Sequence, residues 1–203
     1  VFRMDALGRL ASTGIRVVNP PKAIECAVDK YLALARLAAA GVEVPRTRVA
    51  EQATRALADF DALGGDVVVK PLFGSEGRGV FRVSERTVAE RAYRALESIG
   101  AVIYQQEFID HAGWDLRVFV VGERPLTAMR RVATGEEATG RWKTNISCGG
   151  VGAPHELTAK ESELAREAAR AVGTEIAGVD LIPAGGGYRV LEVNSSPGWR
   201  ALS

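Results

Sequence analysis

Cysteine and histidine are scarce in this sequence, with two of each among 203 residues. Cys26 and Cys148 lie far apart and neither belongs to a CxxC pair, which excludes a disulfide framework and the usual zinc spacings. His111 and His155 are equally isolated, so no Ser-His or Cys-His arrangement for nucleophilic catalysis is evident. The lack of cysteine pairs favours a reducing, cytoplasmic setting.

The sequence also lacks an excess of either charge. The 26 Lys and Arg residues balance 25 Asp and Glu residues, for a net charge of +1, and aromatic residues make up only 6%. Nucleic acid is therefore not expected as a partner, because its binding requires a basic surface with interleaved aromatic residues. No stretch approaches the roughly 18 uncharged apolar residues needed to span a membrane, so no membrane partner is expected either.

Hydrophobic residues make up 47% of the chain, enough to bury a core, and their periodicity predicts an α+β fold. Helices are predicted from Asp29 to Gly41, around Leu57 to Leu63, over 85–98 with Val88, Ala92 and Leu96 on one face, and from Thr158 to Gly173. Strands are predicted over 15–18, 47–49, 67–70, 80–83, 102–109, 116–121, 129–132, 176–182 and 188–193.

These elements divide into two small lobes, predicted over residues 22–100 and 101–203. The polar, glycine-rich stretch 134–152 shows no periodicity and is predicted to be a loop. Residues 1–21 end in a proline pair and are expected to be a linker or the remnant of a missing N-terminal domain.

Lys70 ends a predicted β-branched strand, and a glycine-rich loop with Gly74, Gly77 and Gly79 follows it. A glycine-rich turn between two strands presents backbone N–H groups to a phosphate, and a lysine adds a positive charge. This pattern predicts a nucleotide lid. The alternative is an ordinary long hairpin with an exposed lysine.

Asp180, Glu192 and Asn194 are the acidic and amide residues of two otherwise apolar predicted strands. Glu192 and Asn194 share a face because side chains alternate along a strand, and pairing across the hairpin adds Asp180. Two neighbouring carboxylates need a cation, and oxygen ligands favour Mg²⁺ shared with phosphate oxygens. Salt bridges to Arg189, or a solvated sheet edge, are the alternative.

A cationic group precedes these strands: Arg117, Arg130, Arg131, Arg141 and Lys143. Arg130 and Arg131 point to opposite sides of their strand, so at most one of them shares a face with the predicted metal ligands. The group is interpreted as a clamp for phosphate or carboxylate.

Taken together, these residues resemble the ATP-grasp superfamily, and within it the RimK-like carboxylate–amine ligases. The resemblance follows the chain in order from about residue 22 to residue 200. It rests on Asp29-Lys30, Val69-Lys70-Pro71 with the 74–79 loop, the hinge 105–109, Asp115-Leu116-Arg117, Lys143-Thr144-Asn145 before Gly149-Gly150, and Asp180 with Glu192-Val193-Asn194.

The resemblance implies an ATP-grasp fold of two small α+β lobes with the nucleotide between their sheets, and it implies site residues. Its cofactors would be ATP and Mg²⁺ or Mn²⁺. The implied nucleotide contacts are Lys30 and Lys70 at the phosphates, the lid residues Gly74, Ser75, Gly77 and Gly79, Glu107 and Phe108 at the adenine, Asp115, and Lys143, Thr144 and Asn145. The implied metal ligands are Asp180, Glu192 and Asn194, and the implied catalytic residues are Lys70, Arg117 and Arg130.

The implied activity is ATP-dependent amide formation through an acyl phosphate, with L-glutamate as the amine and ADP as a product. The acceptor would be a pterin or deazaflavin coenzyme, or a protein C-terminus. Two alternatives stay open, namely a non-catalytic ATP-binding regulatory module and a ligase that acts on a carrier protein. The implied partners are ATP, glutamate and a carboxylate acceptor, and a homo-oligomer is possible.

Overall fold

The structure is a computed structural model that describes residues 2–74, 77–134, 142–145 and 149–198. The helices are α1 Phe2–Ser12, α2 Pro21–Val28, α3 Lys30–Ala39, α4 Ala53–Ala62, α5 Arg86–Ser98 and α6 Ala159–Val172. The strands are β1 Thr47–Ala50, β2 Val67–Lys70, β3 Phe81–Val83, β4 Ile103–Glu107, β5 Trp114–Val121, β6 Arg124–Val132, β7 Val151–His155, β8 Ile176–Ala184 and β9 Gly187–Asn194. The predicted α+β class is confirmed.

The chain forms two compact units, a small unit Pro45–Asp110 and a large unit that combines Val1–Val44 with His111–Ser203. This division differs from the predicted lobes of 22–100 and 101–203. Helices α2 and α3 belong to the large unit because Cys26 and Leu37 are buried in its core. Strand β4 belongs to the small unit because it pairs with both β1 and β2.

The small unit contains a four-stranded antiparallel sheet in the order β1-β4-β2-β3. Val67, Val69 and Ile103 pack with residues of α4 and α5 on one face of this sheet. Gln105 is fully buried on the same face, where it accepts a hydrogen bond from the Tyr93 hydroxyl at 2.6 Å. Its amide nitrogen donates to a carbonyl oxygen of α4 at 2.7 Å, so this polar side chain is satisfied inside the core.

The large unit contains a five-stranded antiparallel sheet in the order β7-β6-β5-β8-β9. Leu116, Val118, Val179 and Leu181 point to the face that packs against α2, α3 and α6, and all four are fully buried. Because side chains alternate along a strand, their neighbours in β5 and β8 point to the opposite face. That opposite face carries the predicted site.

The segment before α2 is fastened to the large sheet through Asn19. The Asn19 amide nitrogen donates to the carbonyl oxygens of Ile176 and Ser195, each at 2.7 Å. Its carbonyl oxygen accepts from the N–H groups of Glu175 and Ile176 at 2.6 and 2.7 Å. One buried side chain thus ties residue 19 to the start of β8 and to the turn after β9.

Several predicted details of secondary structure differ from the observed elements. Residues 15–18 form no strand. Pro21, predicted to lie in the linker, is the first residue of α2, where its missing N–H costs nothing. Strand β7 was not predicted; it begins at the end of the predicted 134–152 loop and continues beyond it, and its Pro154 is compatible with an edge position. In α5 the predicted Ala92 and Leu96 do pack against the core, but Val88 is exposed and the buried residues are Ala89 and Tyr93.

The helices within the described ranges were compared with the requirements of a membrane-spanning helix. None of them combines the length and the apolar character that a membrane crossing requires.

Candidate active site

The side of the large sheet opposite the helices is a polar face. Cross-strand pairing brings its charged residues together, because directly paired residues share a face. Asp115 lies opposite Arg131, Arg117 lies opposite Asp180, and Asp180 lies opposite Glu192. Four neighbouring strands therefore contribute to one cluster of carboxylates and guanidinium groups.

Asp180 is the centre of this cluster and is almost completely buried. Arg117 approaches it with a two-pronged contact, Nε to Oδ1 and Nη2 to Oδ2, both at 2.7 Å. Arg131 adds a third contact from its Nη2 to Asp180 Oδ2 at 3.0 Å. A carboxylate withdrawn from water needs such charge-assisted partners to remain ionised.

The pKa directions agree with this geometry. Burial alone would raise the pKa of the Asp180 carboxyl, but the charges of Arg117 and Arg131 hold it below its usual value. Burial would likewise lower the pKa of Arg117, and the attraction of Asp180, with a smaller contribution from Glu192, raises it instead. These groups are therefore charged at neutral pH.

Asp115, predicted to contact nucleotide, is buried and occupied by partners within the large unit. Arg131 donates to it from Nε at 2.7 Å and from Nη2 at 2.6 Å, and the Thr144 hydroxyl donates to Oδ2 at 2.6 Å. Its carboxylate thus links Arg131, and through it Asp180, to the 142–145 segment. In this position Asp115 orients Arg131 and Thr144.

The predicted metal ligands come together as the hairpin pairing requires. Asp180 and Glu192 are directly opposite, and the Asn194 amide nitrogen lies 3.5 Å from Asp180 Oδ2 and 3.2 Å from the carbonyl oxygen of Gly178. Within the described ranges, no three His, Cys, Asp or Glu side chains are grouped closely enough to hold a metal. Two carboxylates with an amide oxygen still fit the oxygen chemistry of Mg²⁺.

Arg130, predicted to be catalytic with Arg117, does not lie on the polar face. Its guanidinium carbon lies 4.2 Å from the centre of the Trp114 ring, and the side chain is exposed. Arg131 takes the predicted place beside Asp180. The reason is an irregularity between Phe119 and Val120 that shifts the β5–β6 pairing by one residue and brings Asp115 opposite Arg131.

Gly178 is a site residue that the sequence reasoning missed. A Cβ atom at this position would lie 2.8 Å from Pro197 Cβ and 3.5 Å from Arg117 Cδ. The close approach of Pro197 therefore requires glycine here, and the stem of Arg117 passes beside it at an ordinary van der Waals distance. A glycine within an otherwise apolar strand is a signal of close approach that could have identified it.

In the small unit, Lys70 is half-buried at the end of β2 and donates from Nζ to Gln106 Oε1 at 2.6 Å. Gln106 in turn donates to the Thr47 hydroxyl at 3.0 Å. This pair holds the lysine at a defined position on the small sheet. Gln106 was part of the predicted hinge but had no predicted role of its own.

The hinge residues Glu107 and Phe108 already use their backbone N–H groups within the small unit. Glu107 donates to the Arg46 carbonyl oxygen and Phe108 to the Asp66 carbonyl oxygen, both at 2.9 Å. The Glu107 carboxylate is held by Arg46 Nε at 2.6 Å. Adenine recognition at this hinge would therefore use groups other than these two N–H donors.

The predicted lid is described in part. Ser75 lies outside the described residues. Gly77 and Gly79 both have φ of 71°, and a Cβ atom on Gly79 would come within 2.9 Å of Pro71 Cγ. Gly79 is therefore required by backbone conformation and by close packing.

The remaining predicted nucleotide contacts lie in the large unit. Lys30 is the first residue of α3, directly after the N-cap Asp29, and is partly buried. Lys143 Nζ lies 5.3 Å from the centre of the Trp142 ring. The Asn145 carbonyl oxygen accepts from the Gly150 N–H at 3.1 Å.

Comparison with known proteins identifies the family. Residues 27–203 match the RimK-like ATP-grasp domain. A tetrahydromethanopterin:alpha-L-glutamate ligase from Methanosarcina acetivorans is 38% identical over 99% of this chain and 69% of its own length. A probable alpha-L-glutamate ligase from Trichodesmium erythraeum is 37% identical over 93% of this chain and 62% of its own length.

The crystal structure of a RimK domain ATP-grasp protein from Sphaerobacter thermophilus matches with a TM-score of 0.75 at 26% identity, covering 95% of this chain and 68% of that one. The chain belongs to the RimK-like ATP-grasp family. It is an ATP-grasp ligase of the carboxylate–amine class, as the resemblance predicted.

Proposed function

We propose that the protein adds L-glutamate through its amino group to a carboxylate acceptor, with cleavage of ATP to ADP and phosphate. The observation that supports this most strongly is the polar face, where two carboxylates and an amide side chain lie beside two guanidinium groups. Such a face can hold both a metal–phosphate group and an anionic substrate. Relatives named alpha-L-glutamate ligases favour glutamate as the amine.

The chemical difficulty is that a carboxylate and the γ-phosphate of ATP repel each other. In the proposed first step, a carboxylate oxygen of the acceptor attacks the γ-phosphorus, which gives an acyl phosphate and ADP. The glutamate amine then attacks the acyl carbon, a proton leaves the nitrogen, and the C–O bond to phosphate breaks. Positive charges placed where negative charge builds lower both barriers.

Each group of site residues has a part in this scheme. Asp180, Glu192 and Asn194 would hold Mg²⁺, which when bound neutralises phosphate oxygens. Lys70, held by Gln106, supplies a positive charge at the phosphates from the small unit. Arg117 supplies one from the polar face, and Asp115 acts through Arg131 and Thr144.

The acceptor is proposed to be a reduced pterin coenzyme, because relatives that cover nearly the whole chain are named for tetrahydromethanopterin. The test is mass spectrometry after incubation with Mg²⁺, ATP, isotopically labelled glutamate and one acceptor at a time: tetrahydromethanopterin, a deazaflavin coenzyme or a peptide with a free C-terminus. We expect a labelled glutamyl product with the pterin, together with ADP.

Two variants sharpen this test. Glu192→Gln should abolish product, whereas Lys160→Ala, an exposed change on α6, should not. Product with another acceptor would correct the acceptor and keep the ligase. ATP binding without ADP or product under all conditions would contradict the proposal and favour a regulatory module.

A further inference from the structure

The two arginines that hold Asp180 are bound very differently. The Arg131 side chain is 3% exposed and makes a two-pronged contact with Asp115, whose carboxylate also accepts from Thr144. Its contact with Asp180 is an additional one. Arg131 would therefore stay in place if Asp180 were engaged by another cation.

Arg117 has the opposite character. Its side chain is 18% exposed, and among the described residues its guanidinium donates hydrogen bonds to Asp180 alone. Its stem passes Gly178, which has no side chain to hold it in place. Arg117 can therefore leave Asp180 without breaking a second carboxylate contact.

Competition for the oxygens of Asp180 decides which arginine would move. Arg117 occupies both oxygens of this carboxylate, whereas Arg131 contacts only Oδ2. A divalent cation that bound at Asp180 would therefore compete most directly with Arg117.

We propose that Arg117 is a stand-in cation, which a divalent metal displaces from Asp180 while Arg131 remains in place. This inference rests on the proposed function, because the metal site is part of it. The consequence is an order of events: the Arg117 guanidinium becomes available to an anionic substrate group only after the metal has bound. An acceptor carboxylate would then meet its arginine only in a metal-loaded site.

The first test follows both arginines in the wild-type protein by nuclear magnetic resonance, with Mg²⁺ alone and without nucleotide or glutamate. The Nε–H groups of Arg117 and Arg131 are both hydrogen-bonded to carboxylates and should give protected signals. We expect added Mg²⁺ to shift the Arg117 signal and increase its exchange with water, while the Arg131 signal persists. Unchanged signals, or loss of the Arg131 signal alone, would overturn the inference.

The second test compares Mn²⁺ affinities, measured by electron paramagnetic resonance without nucleotide. Arg117→Gln removes the competing cation and should bind Mn²⁺ about five- to tenfold more tightly than wild type, a typical size for coupled binding. Arg130→Gln, an equal charge change on the opposite face of the sheet, should leave the affinity unchanged. Equal affinity in all three proteins, or weaker binding by Arg117→Gln, would overturn the inference.

Neither test depends on the ligase reaction. Displacement of Arg117 without glutamyl transfer would reject the proposed function and leave the metal-for-arginine exchange standing. Glutamyl transfer by a protein whose Arg117 signal does not respond to Mg²⁺ would support the proposed function and reject the metal-for-arginine exchange. If neither wild type nor Arg117→Gln binds Mn²⁺ at millimolar concentration, the exchange itself is rejected.

Discussion

Adjacent residues Arg130 and Arg131 have opposite environments, although they have the same side chain. Arg131 is buried between Asp115 and Asp180, whereas Arg130 lies exposed over an aromatic ring. Removing one partner from a buried ion pair leaves an uncompensated charge, which is far more costly than losing an exposed cation–π contact. The two positions therefore form a matched pair for experiment.

We predict that Arg131→Gln lowers the free energy of unfolding by about 3–5 kcal/mol. Arg130→Gln should cost about 1 kcal/mol or less. Urea denaturation of both variants measures the difference. Similar losses in the two proteins would show that the Asp115–Arg131–Asp180 cluster does not stabilise the large unit.

The sequence alone does not determine which of these two arginines lies beside Asp180. Strand alternation correctly predicted that only one of them lies with Asp180. A regular hairpin that continued the Val121–Arg124 pairing would have placed Asp115 opposite Arg130, and the shift at Phe119–Val120 reverses this. An irregularity of one residue is set by local backbone packing, which periodicity does not reveal.

At the scale of elements, α6 begins with a capping box formed by Thr158 and Glu161. The Glu161 carboxylate accepts from the Thr158 N–H at 2.8 Å and contacts His155 Nε2 at 3.0 Å. Burial would raise the pKa of Glu161, but these hydrogen bonds, together with one from Tyr188, lower it. The pKa of the Tyr188 hydroxyl is raised to about 12, by burial as the larger cause and by the hydrogen bond to Glu161 and its charge as the smaller one.

A lowered carboxyl pKa stabilises the folded state above the unfolded value of about 4.3, and the benefit is lost as the pH falls through the folded value. We therefore predict that Glu161→Gln destabilises the protein by about 1–2 kcal/mol at neutral pH. The difference from wild type should shrink below about pH 4. Denaturation across this range, with the exposed Glu167→Gln as control, tests the sign; a constant difference would contradict it.

Other elements could not be predicted because their determinants are tertiary. Pro21 was predicted to belong to the linker but begins α2, whose Cys26 and Ala27 are buried in the large core. Asn19 was assigned to the same linker, and its role depends on residues more than 150 positions away in the sequence. By contrast, the β8–β9 hairpin was predicted well, since alternation and its glycine turn are local signals.

At the scale of the whole molecule, two separately packed units each carry part of the proposed machinery. The small unit contributes Lys70 on its sheet, and the large unit contributes the polar face. The family resemblance predicted the residues of both groups in order along the chain. It could not predict that α2 and α3 join the large unit, because that depends on core packing across distant segments.

The central claim is that the protein activates a carboxylate by phosphorylation. Trapping with hydroxylamine in place of glutamate tests it most directly. Hydroxylamine attacks an acyl phosphate, releases phosphate and forms a hydroxamate of the acceptor. Wild type and the exposed control Lys160→Ala should form hydroxamate with ATP and Mg²⁺. Lys70→Ala should be slower by about 10²- to 10³-fold, the typical cost of removing one charge-stabilising donor. Hydroxamate at the wild-type rate in Lys70→Ala, or none in wild type with an acceptor that it glutamylates, would contradict the account.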